Sequence, residues 1–218
     1  MTDSIKFYRT GDAYGCFSNF SAHPVFLDGT MWPTTEHYFQ AQKFSDFDFR
    51  RKIQSELSPM VAARMGRSRE HPLRADWDAV KDDVMRKAVR AKVRQHSYVR
   101  EALLETGVAE IIEHTANDSY WADGGDGHGR NMLGKILMEV RADLTRSGAF
   151  DELAENLPPP WIKHPEIDRY SIGWRMGYGE DYLCNWGPWY GGLSSAGKKR
   201  YQAMYPLPQG WEGYWEAQ

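Results

Sequence analysis

A chain of 218 residues with 41% hydrophobic and 26% charged residues has the length to bury one full core and carry a small appendage, as a globular protein does. Its formal net charge of −3 argues against coating nucleic acid nonspecifically, and leaves room for local basic patches and for a small, nucleotide-like ligand. The two cysteines, Cys16 and Cys184, lie far apart outside any CxxC or Cys/His pattern, so neither a disulfide framework nor a zinc site is indicated.

The first ten residues, MTDSIKFYRT, lack an apolar h-region, and no later run approaches 18 apolar residues; the expected location is the cytoplasm, with no membrane partner. Ile5 to Arg9 reads as a short strand. PVFLDGTMWP reads as a hairpin whose Asp28-Gly29 pair suits a type I′ turn. Pro33 and the threonines after it signal a helix from about 34 to 44, with either threonine available as its cap. In SPMVAARMG, Ser58 is the expected N-cap, Pro59 sits at N1, and Gly66 suits the left-handed C′ position.

A longer helix is expected from Trp77 to about Gln95, with Val80, Val84, Ala88 and Ala91 as its apolar stripe and charge on its other faces. Residues 98 to 106 form another helix ending at Gly107, and VAEIIEHT reads as a buried strand. Asn131 is the expected N-cap of the last strong helix. Leu133, Ile136, Leu137, Val140 and Leu144 line one face of that helix and Gly148 stops it.

Three consecutive prolines in ENLPPPW mark a boundary, which divides the chain into a main domain at 1–148, a linker at 149–160 and a C-terminal module at 161–218. Residues 158–218 hold six of the nine tryptophans and seven of the twelve tyrosines. Such a segment either offers a stacking surface for bases or sugars, or uses aromatics to bury area where a large aliphatic core cannot form.

Candidate chemistry falls in three segments. In WPTTEHYFQAQKF, Glu36, Gln40 and Lys43 stand at i, i+4 and i+7 and share one helical face, while Tyr38, Ala41 and Phe44 can face a core. That face is either an exposed, salt-bridged surface or a site whose Glu36 is kept ionised by the helix N-terminus. In ADWDAVKDDVM, Trp77 and Lys81 are four residues apart, which sets an aromatic plane beside an amine that can bind phosphate or, with a lowered pKa, attack a sugar aldehyde.

The third segment, HTANDSYWADGGDGHGRN, joins Asp118, Tyr120 and Trp121 to glycines 124, 125, 127 and 129 before the helix at Asn131. Glycines such as Gly127 let backbone N–H groups approach phosphate, but the pattern is neither a Walker A nor a dinucleotide fingerprint, and a flexible turn explains it equally well. His114 and His128 lack a third ligand, so no metal is expected. From Arg86 to Arg100 run six Lys or Arg residues and no acid, with Arg86, Arg90 and Arg94 aligned; this is a phosphate-binding stripe or a solvated face.

Taken in order, FSNF, WPTTEHYFQAQKF, SPMVAARMGR, WDAVKDDVM and NDSYWADGGDGHGRNMLGKILMEVR resemble the NADAR family, and within it the YbiA-like members. The resemblance runs from about Ile5 to Ser147 and leaves the C-terminal module unmatched. It implies an α+β, compact, helix-rich fold with a small β-sheet, and hydrolysis of an N-glycosidic bond between ribose and a base-like amine. No cofactor is implied. By similarity Glu36, Trp77 and Asp118 fall on the family's catalytic glutamate, tryptophan and aspartate, and Asn19, Lys43, Lys81, Tyr120, Trp121 and Asn131 on its pocket, to which local reading adds Gln40 and Gly127.

Cleaving a ribosyl C1′–N bond develops positive charge on the sugar. Asp118 is expected to stabilise that charge, Glu36 to activate water or shuttle a proton, and Trp77 to stack on the heterocycle; alternatively Lys43 or Lys81 traps C1′ as a Schiff base. The expected substrate is a phosphoribosylamino-pyrimidine of the early riboflavin pathway. The alternatives are ADP-ribosyl-guanine in nucleic acid, held by the basic helix or the aromatic tail, and a pocket that binds ADP-ribose or a related nucleotide without turnover. The sequence assigns no oligomeric state.

Overall fold

The structure, a computed structural model, describes residues 4–147 and 157–217. The chain divides into two compact units, with described residues 4–94 and 98–147 in the first and 95–97 and 157–217 in the second. The expected stop at Gly148 and residues 149–156 of the expected linker lie outside the described residues.

The first unit is α+β and rich in helix. Strand β1 (Ser4–Phe7) pairs in parallel with β4 (Glu110–Glu113), in register from Ser4↔Glu110 to Phe7↔Glu113. Strands β2 (Val25–Leu27) and β3 (Thr30–Trp32) form a separate antiparallel hairpin, so two small sheets replace the single one expected. Asp28 and Gly29 turn that hairpin with φ of 54° and 78°, the two positive values a type I′ turn requires.

Helices α1 (Thr35–Ala41), α2 (Phe47–Ser55), α3 (Pro59–Arg67), α4 (Trp77–Gln95), α5 (Ser97–Glu105) and α6 (Met132–Ser147) supply the rest. Sequence reading left α2 unassigned, although Asp46 caps it by accepting from the Phe49 N–H at 3.1 Å. Thr34 is the cap of α1, because its hydroxyl accepts from the His37 N–H, while the Thr35 hydroxyl donates to Asn19 Oδ1 at 3.0 Å.

Of three expected caps, Ser58 and Asn131 hold their positions without a capping side chain, and Gly66 is no cap. Ser58 stands at the N-cap of α3 but its hydroxyl makes no capping bond. Gly66 lies inside α3, which continues to Arg67, and is not its left-handed stop. Asn131 precedes α6 as expected, yet its side chain turns to β4, where Oδ1 accepts from the Glu113 N–H at 3.1 Å and Nδ2 donates to the Ile111 carbonyl at 2.8 Å.

Helix α4 separates two apolar clusters and is buried on more than the single stripe expected. Met85, Val89 and Val93 join Phe7, Phe17, Phe39 and the inner face of α6, while Ala88 and Ala91 join Val25, Trp32, Tyr38 and Phe44. The basic run on this helix is largely engaged within the unit. Arg86 pairs with Glu139 at 3.0 Å and Arg90 with Asp143, both on α6.

Lys92 is fully buried. Its ammonium donates to the carbonyls of Cys16 at 2.8 Å, Phe17 at 3.3 Å and Ser18 at 2.9 Å, and to the Ser21 hydroxyl at 3.3 Å. Burial pushes this amine down to about 7 against the pull of Cys16 and Glu113.

In the second unit α7 (Pro160–Lys163), α8 (Tyr178–Gly191) and α9 (Ser195–Met204) enclose aromatic side chains. Trp161, Trp174, Trp186, Trp189 and Trp211 are all buried. Trp186 donates to the Tyr201 hydroxyl at 2.9 Å, which donates to the Leu157 carbonyl at 2.6 Å. These aromatics therefore build a core in place of aliphatic side chains, although Tyr170 and Tyr178 stay exposed. Among the described residues no helix is long and apolar enough to cross a membrane.

Replacing Lys92 by Met keeps the volume but strands the three carbonyls beneath it. The variant is expected to lose about 3 kcal/mol of stability in urea unfolding, the scale for buried acceptors that lose a charged donor. An unfolding curve matching wild type would refute this role for Lys92.

Candidate active site

All seven residues of α1 are buried, so the face that carries Glu36 and Gln40 is interior and not a solvated salt-bridge surface. Its entry is fixed by Asn19, itself buried, whose carbonyl accepts from the Glu36 N–H at 3.1 Å and whose Nδ2 donates to Met85 Sδ at 3.3 Å. Asn19 thus sets where Glu36 begins its helix.

Gln40 Nε2 donates to Glu36 Oε1 at 2.7 Å. The amide of Gln40 lies against Gly66 of α3, where an added Cβ would come within 2.6 Å of Gln40 Cδ and closer still to Oε1. Glycine is required here by this close approach and not by backbone conformation. Helix α1 ends at Ala41, short of the expected 44, which leaves Lys43 in the turn after it; the Gly66 carbonyl accepts from Lys43 Nζ at 3.3 Å, so one position on α3 serves both Gln40 and Lys43.

Burial raises the pKa of Glu36, against the lowering effects of Gln40, Lys43 and Arg67 and with a further push from Asp118. The expectation that the helix N-terminus keeps this carboxylate ionised gives way to desolvation: Glu36 holds a proton more readily than a free glutamate. Burial likewise lowers the pKa of Lys43, opposed by Glu36 and assisted by Arg67 and Arg69.

An aromatic wall runs beside these groups. Phe39 meets Trp77 at 5.1 Å and Trp121 at 5.2 Å, and Trp121 meets Tyr120 at 5.1 Å between ring centroids. The cation over Trp77 is Lys43, at 5.9 Å, and not the Lys81 expected from the i, i+4 spacing. Lys81 pairs with Asp78 at 3.0 Å and lies 4.4 Å over the ring of Tyr120, with Arg130 at 4.5 Å over the same ring. Trp77 itself is largely buried among core side chains.

The glycine-rich loop is ordered by two carboxylates. Asp118 Oδ1 accepts from the N–H groups of Tyr120 and Trp121, each at 2.8 Å, and so directs both rings. Asp123, buried and unremarked in the sequence, accepts from Gly125 N–H at 2.9 Å and pairs with His114 at 2.7 Å. Gly127 closes the turn with its N–H on the Asp123 carbonyl at 3.1 Å, and the Tyr120 hydroxyl ties the loop to α4 by donating to Asp82 at 2.8 Å.

Sequence reading also missed Glu113. It is the last residue of β4 and shares a strand face with the buried Ile111, two positions before it. Burial, then Asp118 and Glu36, push its carboxyl up to about 7, with Lys92 opposing. The signal was present in EIIE, where alternation that turns Ile111 inward turns Glu113 inward too. Glu36, Asp118 and Glu113 therefore feel one another, and the structure brings Lys43, Gln40, Trp77 and Trp121 to the same α1-centred region, while Lys81 and Tyr120 form its outer edge. A cavity of about 720 Å³ opens elsewhere on this unit, between Asp28, Trp32, Gln42 and Arg50, and contains none of these residues.

The NADAR domain matches residues 6–145. The chain belongs to the NADAR family. It is 59% identical over 145 residues to N-glycosidase YbiA of Escherichia coli (strain K12), a match covering 66% of this chain and 91% of that protein. It is 38% identical over 165 residues to the riboflavin biosynthesis protein VVA0006 of Vibrio vulnificus (strain YJ016), covering 74% of this chain and 45% of that protein. An NMR structure of E. coli YbiA aligns with a TM-score of 0.62 at 57% identity, covering 66% of this NADAR protein and 87% of the other. The extent of these matches leaves the aromatic C-terminal unit as an extension.

Gly66→Ala tests the α1–α3 contact. Alanine is the better helix former by about 0.5–1 kcal/mol, so helicity should persist, while displacement of Gln40 and Lys43 should lower turnover on the order of 100-fold. Circular dichroism and steady-state kinetics check the two halves; wild-type turnover in a folded variant would sink the argument.

Proposed function

We propose that this NADAR protein hydrolyses the ribosyl C1′–N bond of a phosphoribosylamino-pyrimidine, the kind of reactive intermediate formed early in riboflavin synthesis. Hydrolysis of N-glycosyl bonds accords with its 59% identity to N-glycosidase YbiA over most of that protein, and the pathway with the name of the Vibrio relative. The observation that carries the reading is the buried Glu36–Gln40 pair, 2.7 Å apart, with Lys43 in the turn that follows their helix and over Trp77.

As C1′–N breaks, the ring oxygen shares the positive charge left at C1′. Asp118 faces that charge with a carboxylate whose Oδ1 is fixed by two backbone N–H groups. Glu36, desolvated and oriented by Gln40, takes a proton from the attacking water. The water oxygen bonds to C1′, the electron pair of the broken bond stays on nitrogen, and that nitrogen collects one proton. Trp77 and its neighbours in the aromatic wall supply the apolar side on which the heterocycle rests.

A second route is favoured by one specific contrast. Lys43 has a lowered proton affinity through burial, whereas Lys81 is engaged by Asp78. In the ring-opened sugar, the Lys43 amine would displace the pyrimidine amine at C1′ to form an imine, which water then cleaves. Borohydride added during turnover should leave a reduced adduct on Lys43 and none on Lys81; absence of any adduct, with activity kept in Lys43→Arg, would eliminate this route.

The smaller substrate is preferred to ADP-ribosyl-guanine in nucleic acid because Arg86 and Arg90 are paired with α6 and the C-terminal tryptophans are mostly buried. Side-by-side turnover of the phosphoribosylamino-pyrimidine and of ADP-ribosylated guanine decides the substrate. We expect the higher kcat/KM on the pyrimidine and a loss of about 10²–10⁴-fold in kcat for Glu36→Gln. No product from the pyrimidine, or a higher kcat/KM on the guanine adduct, would overturn the substrate reading; product from neither would leave only a binding role.

A further inference from the structure

We infer that the Lys81 ammonium and the Arg130 guanidinium, gathered on the ring of Tyr120, form the subsite for the 5′-phosphate of the substrate. The inference rests on the proposed hydrolysis and names what holds the phosphoryl end of that substrate.

The main chain of the glycine-rich loop does not hold it. A backbone cradle for phosphate needs N–H groups with no other acceptor, and here they are spent within the loop. The N–H of Gly124 donates to the Asp118 carbonyl at 3.1 Å and that of Gly125 to Asp123 Oδ1 at 2.9 Å. Those of Gly127 and Gly129 both donate to the Asp123 carbonyl, at 3.1 and 2.8 Å, and that of Arg130 to the Ser119 carbonyl at 2.7 Å. What the loop offers an anion is therefore a side chain, the exposed Arg130.

Tyr120 places that side chain. The guanidinium carbon of Arg130 stands 4.5 Å from the centre of the Tyr120 ring, and Lys81 Nζ stands 4.4 Å from the same centre. The ring is fixed at both ends, its residue's N–H on Asp118 Oδ1 and its hydroxyl on Asp82, each at 2.8 Å. A cation is attracted to an aromatic face without giving up its hydrogen-bond donors. One rigid ring thus brings together two cations, one from α4 and one from the end of the loop.

Their partners set them apart from the other basic residues. Arg74, Arg86 and Arg90 are each paired with a carboxylate. The Arg130 guanidinium makes no hydrogen bond or ion pair among the described residues. Lys81 has Asp78 at 3.0 Å, three residues before it with a side chain 92% exposed, a solvated pair that an incoming phosphate can displace. Asp82 is taken by the Tyr120 hydroxyl. A guanidinium lying on a ring keeps its edge N–H groups free for two oxygens of one anion, and the ammonium adds a second charge, so the group that fits is a phosphate dianion.

The place suits a ribose 5′-phosphate. Asp118 Oδ1, proposed above to face the charge at C1′, accepts from the N–H of the same Tyr120 whose ring carries the two cations. Carboxylate and cations then flank one sugar, with C1′ toward the first and the phosphate toward the second.

The test uses the full chain and two substrates, the phosphoribosylamino-pyrimidine and the same compound without its phosphate. Wild type should prefer the phosphorylated form by about 100-fold in kcat/KM, mostly through KM. Arg130→Gln and Lys81→Gln should each cut that preference about 10-fold, and Arg130→Lys, which keeps the charge and loses the fork, should cut it less. Side chains that merely supported Tyr120 would slow both substrates alike. An undiminished preference in both Gln variants would overturn the subsite and leave the hydrolysis standing.

A ligand arm needs no turnover. In calorimetric titrations wild type should bind ribose 5-phosphate more tightly than ribose, and Arg130→Gln should weaken the phosphate ester about 10-fold. Equal binding of the two sugars by wild type, or equal affinity for ribose 5-phosphate in wild type and Arg130→Gln, would overturn the subsite. Release of pyrimidine from neither substrate, alongside the expected calorimetric pattern, would support the subsite and tell against the proposed function instead.

Discussion

The buried ammonium of Lys92 is the constraint on which the site depends. It gathers the carbonyls of Cys16, Phe17 and Ser18 into a turn, and the next residue, Asn19, presents its own carbonyl to the Glu36 N–H. The middle of α4 thereby fixes the start of α1. An apolar side chain at 92 could fill the same volume but could not satisfy three inward carbonyls, and a turn released from them would free the first turn of α1. The cost is a desolvated cation, visible in an amine pushed down to about 7.

Holding α1 in the interior carries a second cost, because Glu36 and Gln40 lie where apolar residues would be more stable. Packing limits that cost without removing it. Gln40 satisfies Glu36 on one side, yet its Oε1 is buried with no hydrogen-bond partner among the described residues, in the space that a Cβ on Gly66 would take. A contact between α1 and α3 that accepts a helical glycine, an unpaired amide oxygen and a desolvated carboxyl together has been shaped for chemistry at the expense of stability.

What was legible in the sequence was local. The Asp28-Gly29 turn, Pro59 at the start of α3 and the extent of α4 follow from backbone preferences of the residues themselves. What was misread depended on partners distant in the chain. Gly66 looks like a helix stop until Gln40 is seen against it, and Trp77 and Lys81 look paired until Lys43 is found over the indole. Lys92 was hidden in a basic run read as one surface, and Glu113 in a strand read only for its isoleucines. Family resemblance supplied Glu36 and Asp118, but the carboxyl of Glu113, which both of them push up, is set near them only by the fold.

The contrast between the two candidate lysines shows how burial decides chemistry that residue type leaves open. Lys81 stands in an ion pair with Asp78 at 3.0 Å. Lys43 lies over Phe39 and Trp77 with its amine on a main-chain carbonyl, and desolvation together with Arg67 and Arg69 outweighs the attraction of Glu36. Protonation of Glu36 removes part of that attraction and releases more of the Lys43 amine, so proton occupancy at the two is opposed. Whether the site uses activated water or a covalent imine then turns on the same quantity, the charge of Glu36, on which burial, Gln40, Lys43, Arg67 and Asp118 all act.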